Sequence, residues 1–416
     1  MICQRKQSPG AAWQLTHASR IAAVSFALIV VGILSVSRAL HAAAPSENDR
    51  PARQTLLAHY MPWYVAKPHS DVWGWHWTMN HFDPERQTDG QREIASHFYP
   101  LIGPYDSGDL AVIECHLLTM KLAGIDGVIV DWYGLTDFRD YATLHRNTTR
   151  VLQQCERLQM KFVICYEDQT IPALVEGDRL SADARISHAV SEIDWLGKYW
   201  FKSPSYVKLD GKPVLLSFGH AGLSDDEWRQ CLDQLQSPVT YFSEHARRQG
   251  AAGAFDWPIP SQGFEAVARF QKSAADWPHS IPVAFPRFVD IYKEAKLHDG
   301  YGRIDDDRGR TFRTTFQRAL NSNARIIQIA TWNDWGEGTV IEPSVEFGFR
   351  DLQLIQTLRQ SRNALPANVR ASDLRLPGKL LERRRAADSP TEVQHLDRVS
   401  EMLSAGRLPA ARAELN

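Results

Sequence analysis

DGVIVDWYG, residues 126–134, and KFVICYED, residues 161–168, are apolar, β-branched runs that each end in polar and aromatic residues, with a longer amphipathic stretch between them. Such runs suit strands buried on both faces, and strand, helix, strand in succession is how a parallel sheet is built. Working outward, the pattern recurs. LLAHYMPWY ends at Tyr64, KPVLLSFG at Gly219, PVTYFSE at Glu244, GAFDWP at Pro258, SIPVAFP at Pro286 and RIIQIATWNDW at Trp335. Eight strand candidates over roughly 280 residues predict a closed (β/α)8 barrel of the α/β class. A doubly wound open sheet alternates in the same way, but no glycine-rich phosphate loop follows the first strand.

The segments between the strands carry helix signals. Asp109 precedes Leu110, Ile113, Leu117 and Met120 at helical spacing, and Gly124 stops them. Ser224 with Glu227 forms a capping box, and Trp195 and Leu196 lie in another helical stretch after Ser181. Two regions break the rhythm. Residues 65–108 form a long insertion holding Trp73, Trp75, His76, Trp77, His81 and Phe82, and a loop of this length is expected to bind. Residues 367–416 read as a tail of one or two short helices without chemistry, in which Arg383 to Arg385 make a solvated basic face. Asp305 to Asp307 read as a solvated acidic loop.

With 416 residues, 44% of them hydrophobic, the chain is long enough for one large domain. Its formal charge of -2, without a basic stripe, argues against nucleic acid as a partner. Residues 1–44 have the parts of an export signal: Arg5, Lys6 and Arg20, then an apolar run from Ile21 to Val36, then Ala42, Ala43 and Ala44. An exported protein is expected, either cleaved and released to the periplasm or medium, or tethered to the membrane by an uncleaved anchor. Residues 45–366 are then the barrel. Cys115, Cys155, Cys165 and Cys231 show no zinc spacing and are expected to be buried free thiols.

In such a barrel the active site gathers where the strands end. Strand one ends in His59, Tyr60 and Trp63, strand two in Asp131, Trp132 and Tyr133, strand three in Tyr166, Glu167 and Asp168. Strand five ends at Glu244 and His245, strand six at Asp256 and Trp257, and Arg287 and Asp290 follow strand seven. Strand eight runs into TWNDWGEGTVIEP, residues 331–343, which holds Trp332, Asn333, Asp334, Trp335 and Glu337. Carboxylates among aromatic rings at one mouth suit glycoside cleavage, in which one carboxyl protonates the leaving oxygen and another assists at the sugar. Asp334 and Glu337, three apart and flanked by glycine, are the catalytic candidates. Tyr60, Trp63, His76, Trp77, Asp131, Trp132, Tyr133, Glu167, Trp257, Asp290, Trp332, Asn333 and Trp335 are the candidates to hold a glycan. No GxSxG elbow or HExxH pair occurs, and this chemistry requires neither metal nor other cofactor.

TWNDWGEGTVIEP resembles the strand-eight motif of the glycoside hydrolase family 99-like group, whose endo-acting α-mannosidases carry WNEW followed by Glu. HYMPWY with WGWHW after it is similar to that group's first strand and loop, DGVIVDWYG and CYED to its second and third strand ends, and AFPRFVD to its seventh. The resemblance spans roughly residues 56–365. It implies an α-glycan hydrolase with Glu337 as general acid/base and Asp334 as the carboxylate that takes the proton of the sugar 2-hydroxyl. That oxygen then attacks the anomeric carbon, so configuration is retained through a 1,2-anhydro sugar. It also implies Glu167 as a further acid, and Tyr60, His76 and Trp132 as glycan contacts.

One position departs from the pattern. Family 99 enzymes have Glu where this chain has Asp334, and a lost methylene moves a carboxylate by about an ångström. Asp there is similar to the inverting family 71 α-1,3-glucanases, whose pattern reads WNDYGE. Inversion needs carboxyls roughly 6.5–9.5 Å apart, against roughly 5 Å for the usual retaining pair. The reading from another class is a non-catalytic glycan-binding or surface-polysaccharide assembly protein on the same barrel. A glycosyltransferase is a third, opposed by the absence of a DxD site with a nucleotide fold.

Overall fold

Every expected strand forms, and the eight close into a ring. The computed structural model describes residues 53–415, so the expected export segment lies outside the described residues. The strands are β1 (Thr55–Tyr60), β2 (Gly127–Trp132), β3 (Lys161–Glu167), β4 (Lys212–Phe218), β5 (Thr240–Glu244), β6 (Gly253–Phe255), β7 (His279–Ile281 and Val283–Ala284) and β8 (Ile326–Ile329). All neighbours are parallel, with β1 between β2 and β8. Pro282 has no N–H to donate and divides β7: its first half pairs with β6, its second with β8, and this closes the barrel. Gly127 sits where β2 meets β3, and a Cβ there would lie 2.0 Å from the Lys161 carbonyl oxygen.

Side chains alternate along each strand. Leu57, Ile129, Val163, Leu216, Phe242, Phe255 and Ile281 belong to the core inside the ring. Leu56, Ala58, Val128, Val130, Phe162 and Ile164 belong to the layer under the helices. Helix α1 (Leu110–Ala123) begins with the Asp109 side chain accepting from Ala111 N–H and ends at Gly124 with φ 88°. The Ser224–Glu227 capping box opens the helix Asp225–Gln234. All four cysteines of this part are buried free thiols. No helix among the described residues is long and apolar enough to cross a membrane.

The tail differs from its expectation. It forms three helices, Leu376–Ala386, Pro390–Ser404 and Leu408–Leu415, and packs on α1. Buried Glu114 of α1 accepts from Arg157, Arg384 and Ser400. Arg384 is therefore a structural ion-pair partner and not part of a solvated face. A helix turns about 100° per residue, so three consecutive arginines cannot all face water when the helix docks. Asp306 is likewise drawn in to pair with Arg350 and, at 3.1 Å, with buried Arg287. Arg287 also holds Asp351 at 2.5 Å and lies over the Phe347 ring, so it braces the barrel wall. A cleft of about 800 Å³ runs along the tail's contact with α1, but the paired Glu114 makes it a seam between helices.

Candidate active site

After Ile329 the chain turns across the mouth of the barrel and is pinned at almost every residue. Trp332 N–H donates to the His59 carbonyl at 2.7 Å, and the Asn333 amide bonds both N–H and C=O of Met61. Tyr64 Oη donates to the Asn333 carbonyl and accepts from Trp335 N–H, each at 3.0 Å. Between these anchors residues 334–338 make a helical turn. Gly338 N–H donates to the Asp334 carbonyl, and Glu337 N–H donates to Asp334 Oδ1, both at 3.0 Å. Gly338 has φ 67°, and a Cβ would come within 2.6 Å of the Val289 carbonyl oxygen, so glycine is required there. The turn holds Asp334 and Glu337 rigidly on one side, as their spacing predicts.

Burial and mutual repulsion set the protonation of the acids around them. Burial raises Asp334 to about 6, with the N–H groups of Glu337 and Gly336 opposing the rise. Glu337 is pushed well above the usual range by burial first, then by Asp334, Asp290 and Glu244. Its Oε2 has no hydrogen-bond partner. Burial, then Asp334, raises Asp131 to about 8, and Glu167 is raised well above its ordinary value by burial and Asp131. Glu244 and Asp256 are raised by burial, although His245 stands 3.4 Å from one and 3.8 Å from the other. The mouth is thus a ring of acids that hold protons above the usual carboxylate range.

Of the candidate glycan contacts, Trp63, His76, Tyr133, Trp257, Asp131, Glu167 and Asp290 lie around this ring. Trp63 and His76 stack with centroids 4.4 Å apart, and Asp140 is 3.6 Å from His76. Tyr133 packs near Trp63, and Trp257 stands edge-on to His59 at 4.8 Å. Asp290 accepts from Tyr292 and Tyr301 N–H and so shapes the loop after β7.

Six candidates are placed elsewhere. Tyr60 points outward and bonds His116 Nδ1 at 3.1 Å. Trp132 also points outward, stacks on Trp195 and donates to His145 at 3.2 Å. Trp77 has no exposed surface and donates to the Tyr105 carbonyl at 2.8 Å. Trp335 donates to Tyr105 Oη and packs on Trp77, Trp332 is buried beside His116, and Asn333 is used up by Met61. A side chain without accessible surface cannot touch a sugar, so these six support the site.

The sequence reading missed Tyr292, whose hydroxyl feels both Glu337 and Asp334, and a buried chain beneath the turn. In that chain Glu342 bonds Tyr105 Oη at 2.7 Å and His116 Nε2 at 3.1 Å. Glu342 stands in the strand-eight motif itself, but its partners come from the long insertion and α1, which nothing in the motif announces.

Residues 51–235 match the family described as glycosyl hydrolase family 99. A glycoprotein endo-α-1,2-mannosidase of Xenopus laevis is 28% identical over 338 residues, 72% of this chain and 72% of its own. That of Mus musculus is 26% identical over 339 residues, covering 72% and 70%. Among solved structures, the GH99 endo-α-mannosidase of Bacteroides thetaiotaomicron superposes with a TM-score of 0.57 at 18% identity, over 76% of this chain and all of its own, which bears out the barrel fold.

Proposed function

From a chain that is glycoside hydrolase family 99-like, a hydrolase acting on an α-linked glycan, we propose that Glu337 and Asp334 divide the acid and base work of glycoside cleavage. The observation that carries this reading is that two carboxyls of one rigid turn sit in opposed environments. Asp334 has its Oδ1 held by backbone N–H, which favours the ionised form, whereas Glu337 Oε2 has no partner and faces other acids, which favours the proton. Two titratable groups pushed apart in this way are an acid and a base.

In the reaction, the Glu337 carboxyl donates its proton to the glycosidic oxygen as the bond to the anomeric carbon breaks. Asp334 takes a proton from the sugar or from water. If it comes from the 2-hydroxyl, a 1,2-anhydro sugar forms; Glu337, now ionised, draws a proton from the water that attacks the anomeric carbon, and Asp334 returns its proton to the 2-oxygen as the ring opens. If it comes from water, the product is inverted. Trp63, Tyr133 and Trp257 supply apolar faces for the rings. The names of the relatives support an α-1,2-linked mannoside cut within the chain as the first substrate to test, with α-1,3-glucan and bacterial surface polysaccharide after it. The make-up of residues 1–44 supports action outside the cytoplasm.

The test is a hydrolysis screen on those polymers with proton NMR of the released anomer. Retention supports proton transfer from the 2-hydroxyl to Asp334, and inversion supports activation of water. Binding without release from any polymer would overturn hydrolysis in favour of a glycan-binding role.

A further inference from the structure

Inside the barrel, below Asp334, three side chains from adjacent strands converge. Asp131 of β2 and Cys165 of β3 are opposite partners in their ladder, and His59 of β1 faces the same interior. A ring nitrogen of His59, a carboxylate oxygen of Asp131 and the Cys165 Sγ lie within 4.8 Å of one another. His59 and Cys165 have no exposed surface, and Asp131 has 4%. Neither ring nitrogen of His59 nor Asp131 Oδ1 has a hydrogen-bond partner. Buried polar groups are normally hydrogen-bonded, so three unpartnered atoms in one place call for a partner that Asp334 and Glu337 do not provide.

We infer that His59, Asp131 and Cys165 form a binding site for a thiophilic divalent cation of the zinc class. Imidazole nitrogen, carboxylate oxygen and thiolate sulfur are all zinc ligands, and three protein donors leave one tetrahedral corner for water. Sulfur selects against magnesium and calcium, which take oxygen ligands. Bond lengths of about 2.0–2.3 Å put donors roughly 3.5 Å apart around the ion, so the three side chains draw in by about an ångström. On binding, the Cys165 thiol gives up its proton to solvent and its sulfur lone pair forms the metal bond.

The surroundings supply the support such a site needs. Gln328 of β8 approaches the His59 ring, its Oε1 is buried without a partner, and its amide nitrogen is fixed on the Asp256 carbonyl at 2.6 Å. With one ring nitrogen on the ion, the N–H at the other donates to Gln328 Oε1. This is how ligating histidines are oriented. A cation thus gives one His59 nitrogen and Asp131 Oδ1 the partner they lack, while Gln328 orients the other nitrogen.

The test is titration of the chelator-stripped full chain with Co2+, then Zn2+, followed by absorbance. One equivalent of Co2+ is expected to give tetrahedral ligand-field bands with a thiolate-to-cobalt charge-transfer band, and Zn2+ to erase both. The wild-type band reports a thiolate ligand without any substitution. Cys165→Ser is expected to remove it, and Gln328→Met to weaken affinity about 10- to 100-fold, with circular dichroism showing that each variant folds. Absence of the band in the wild-type chain overturns the site. So does a full band in Cys165→Ser, or Co2+ affinity unchanged by Asp131→Asn, or Mg2+ competing as well as Zn2+.

Discussion

Replacing Asp334 by Asn separates what this carboxylate does for catalysis from what it costs the fold. Burial raises Asp334 from 3.8 to about 6. Its folded-state pKa therefore lies above its unfolded one. The folded chain keeps a proton that the unfolded chain gives up, and stability falls as pH rises through that window. At about 1.4 kcal/mol per unit, the group costs about 3 kcal/mol between roughly pH 4 and pH 7. Asp334→Asn has no such proton, so its stability relative to wild type should rise by about that amount across the same interval. The lost hydrogen-bond strength from Glu337 N–H and the change of shape shift both ends alike and cancel in the difference. Urea unfolding at four pH values measures it directly. Kinetics give the other half: wild-type kcat/KM should fall about tenfold per unit below about pH 6, and the variant should lose turnover at every pH. Parallel stability curves for the two proteins would refute the reasoning, because Asp334 would then have the same pKa folded and unfolded.

Glu337→Gln keeps the size and loses the proton, so turnover should drop by about 10²- to 10⁴-fold while glycan binding, read by calorimetry, persists. Full activity in that variant would remove Glu337 from its role. Trp77→Ala should cost about 3–5 kcal/mol in denaturant unfolding, because the ring is wholly buried against Tyr64 and Tyr105, whereas Trp63→Ala should weaken glycan binding at little cost to stability. Arg384→Ala should destabilise by about 2 kcal/mol, since it strips a partner from buried Glu114, and Arg383→Ala, whose partner Glu392 is half exposed, should change stability by about 0.5 kcal/mol or less. Equal effects at the two arginines, measured by thermal unfolding, would contradict the way the tail docks.

Much of the architecture was legible because it depends on neighbours along the chain. Eight β-branched runs, the Asp109 and Gly124 helix limits and the Ser224–Glu227 box are local signals, and each element formed where its residues allow. The pairing of Asp334 with Glu337 was legible for the same reason, since a three-residue spacing becomes a contact within one turn. The direction of Tyr60, Trp132 and Trp332 was not. Strands buried on both faces are apolar throughout, so no alternation tells inside from outside, and a one-residue change of parity moves a ring from the sugar to the helix layer. Nothing near Arg384 in the sequence announces its partner, because Glu114 is 270 residues away.

The strands, the caps, the closure into a barrel and the turn that carries the two acids all follow from periodicity and spacing within a few residues. Which strand-end side chains line the mouth depends instead on the closed ring. So do the meeting of His59, Asp131 and Cys165 beneath it and the push of Glu337 and Asp334 toward the protonated form. Those outcomes depend on burial and on charges brought together from distant strands, and neither desolvation nor repulsion exists until the ring is closed.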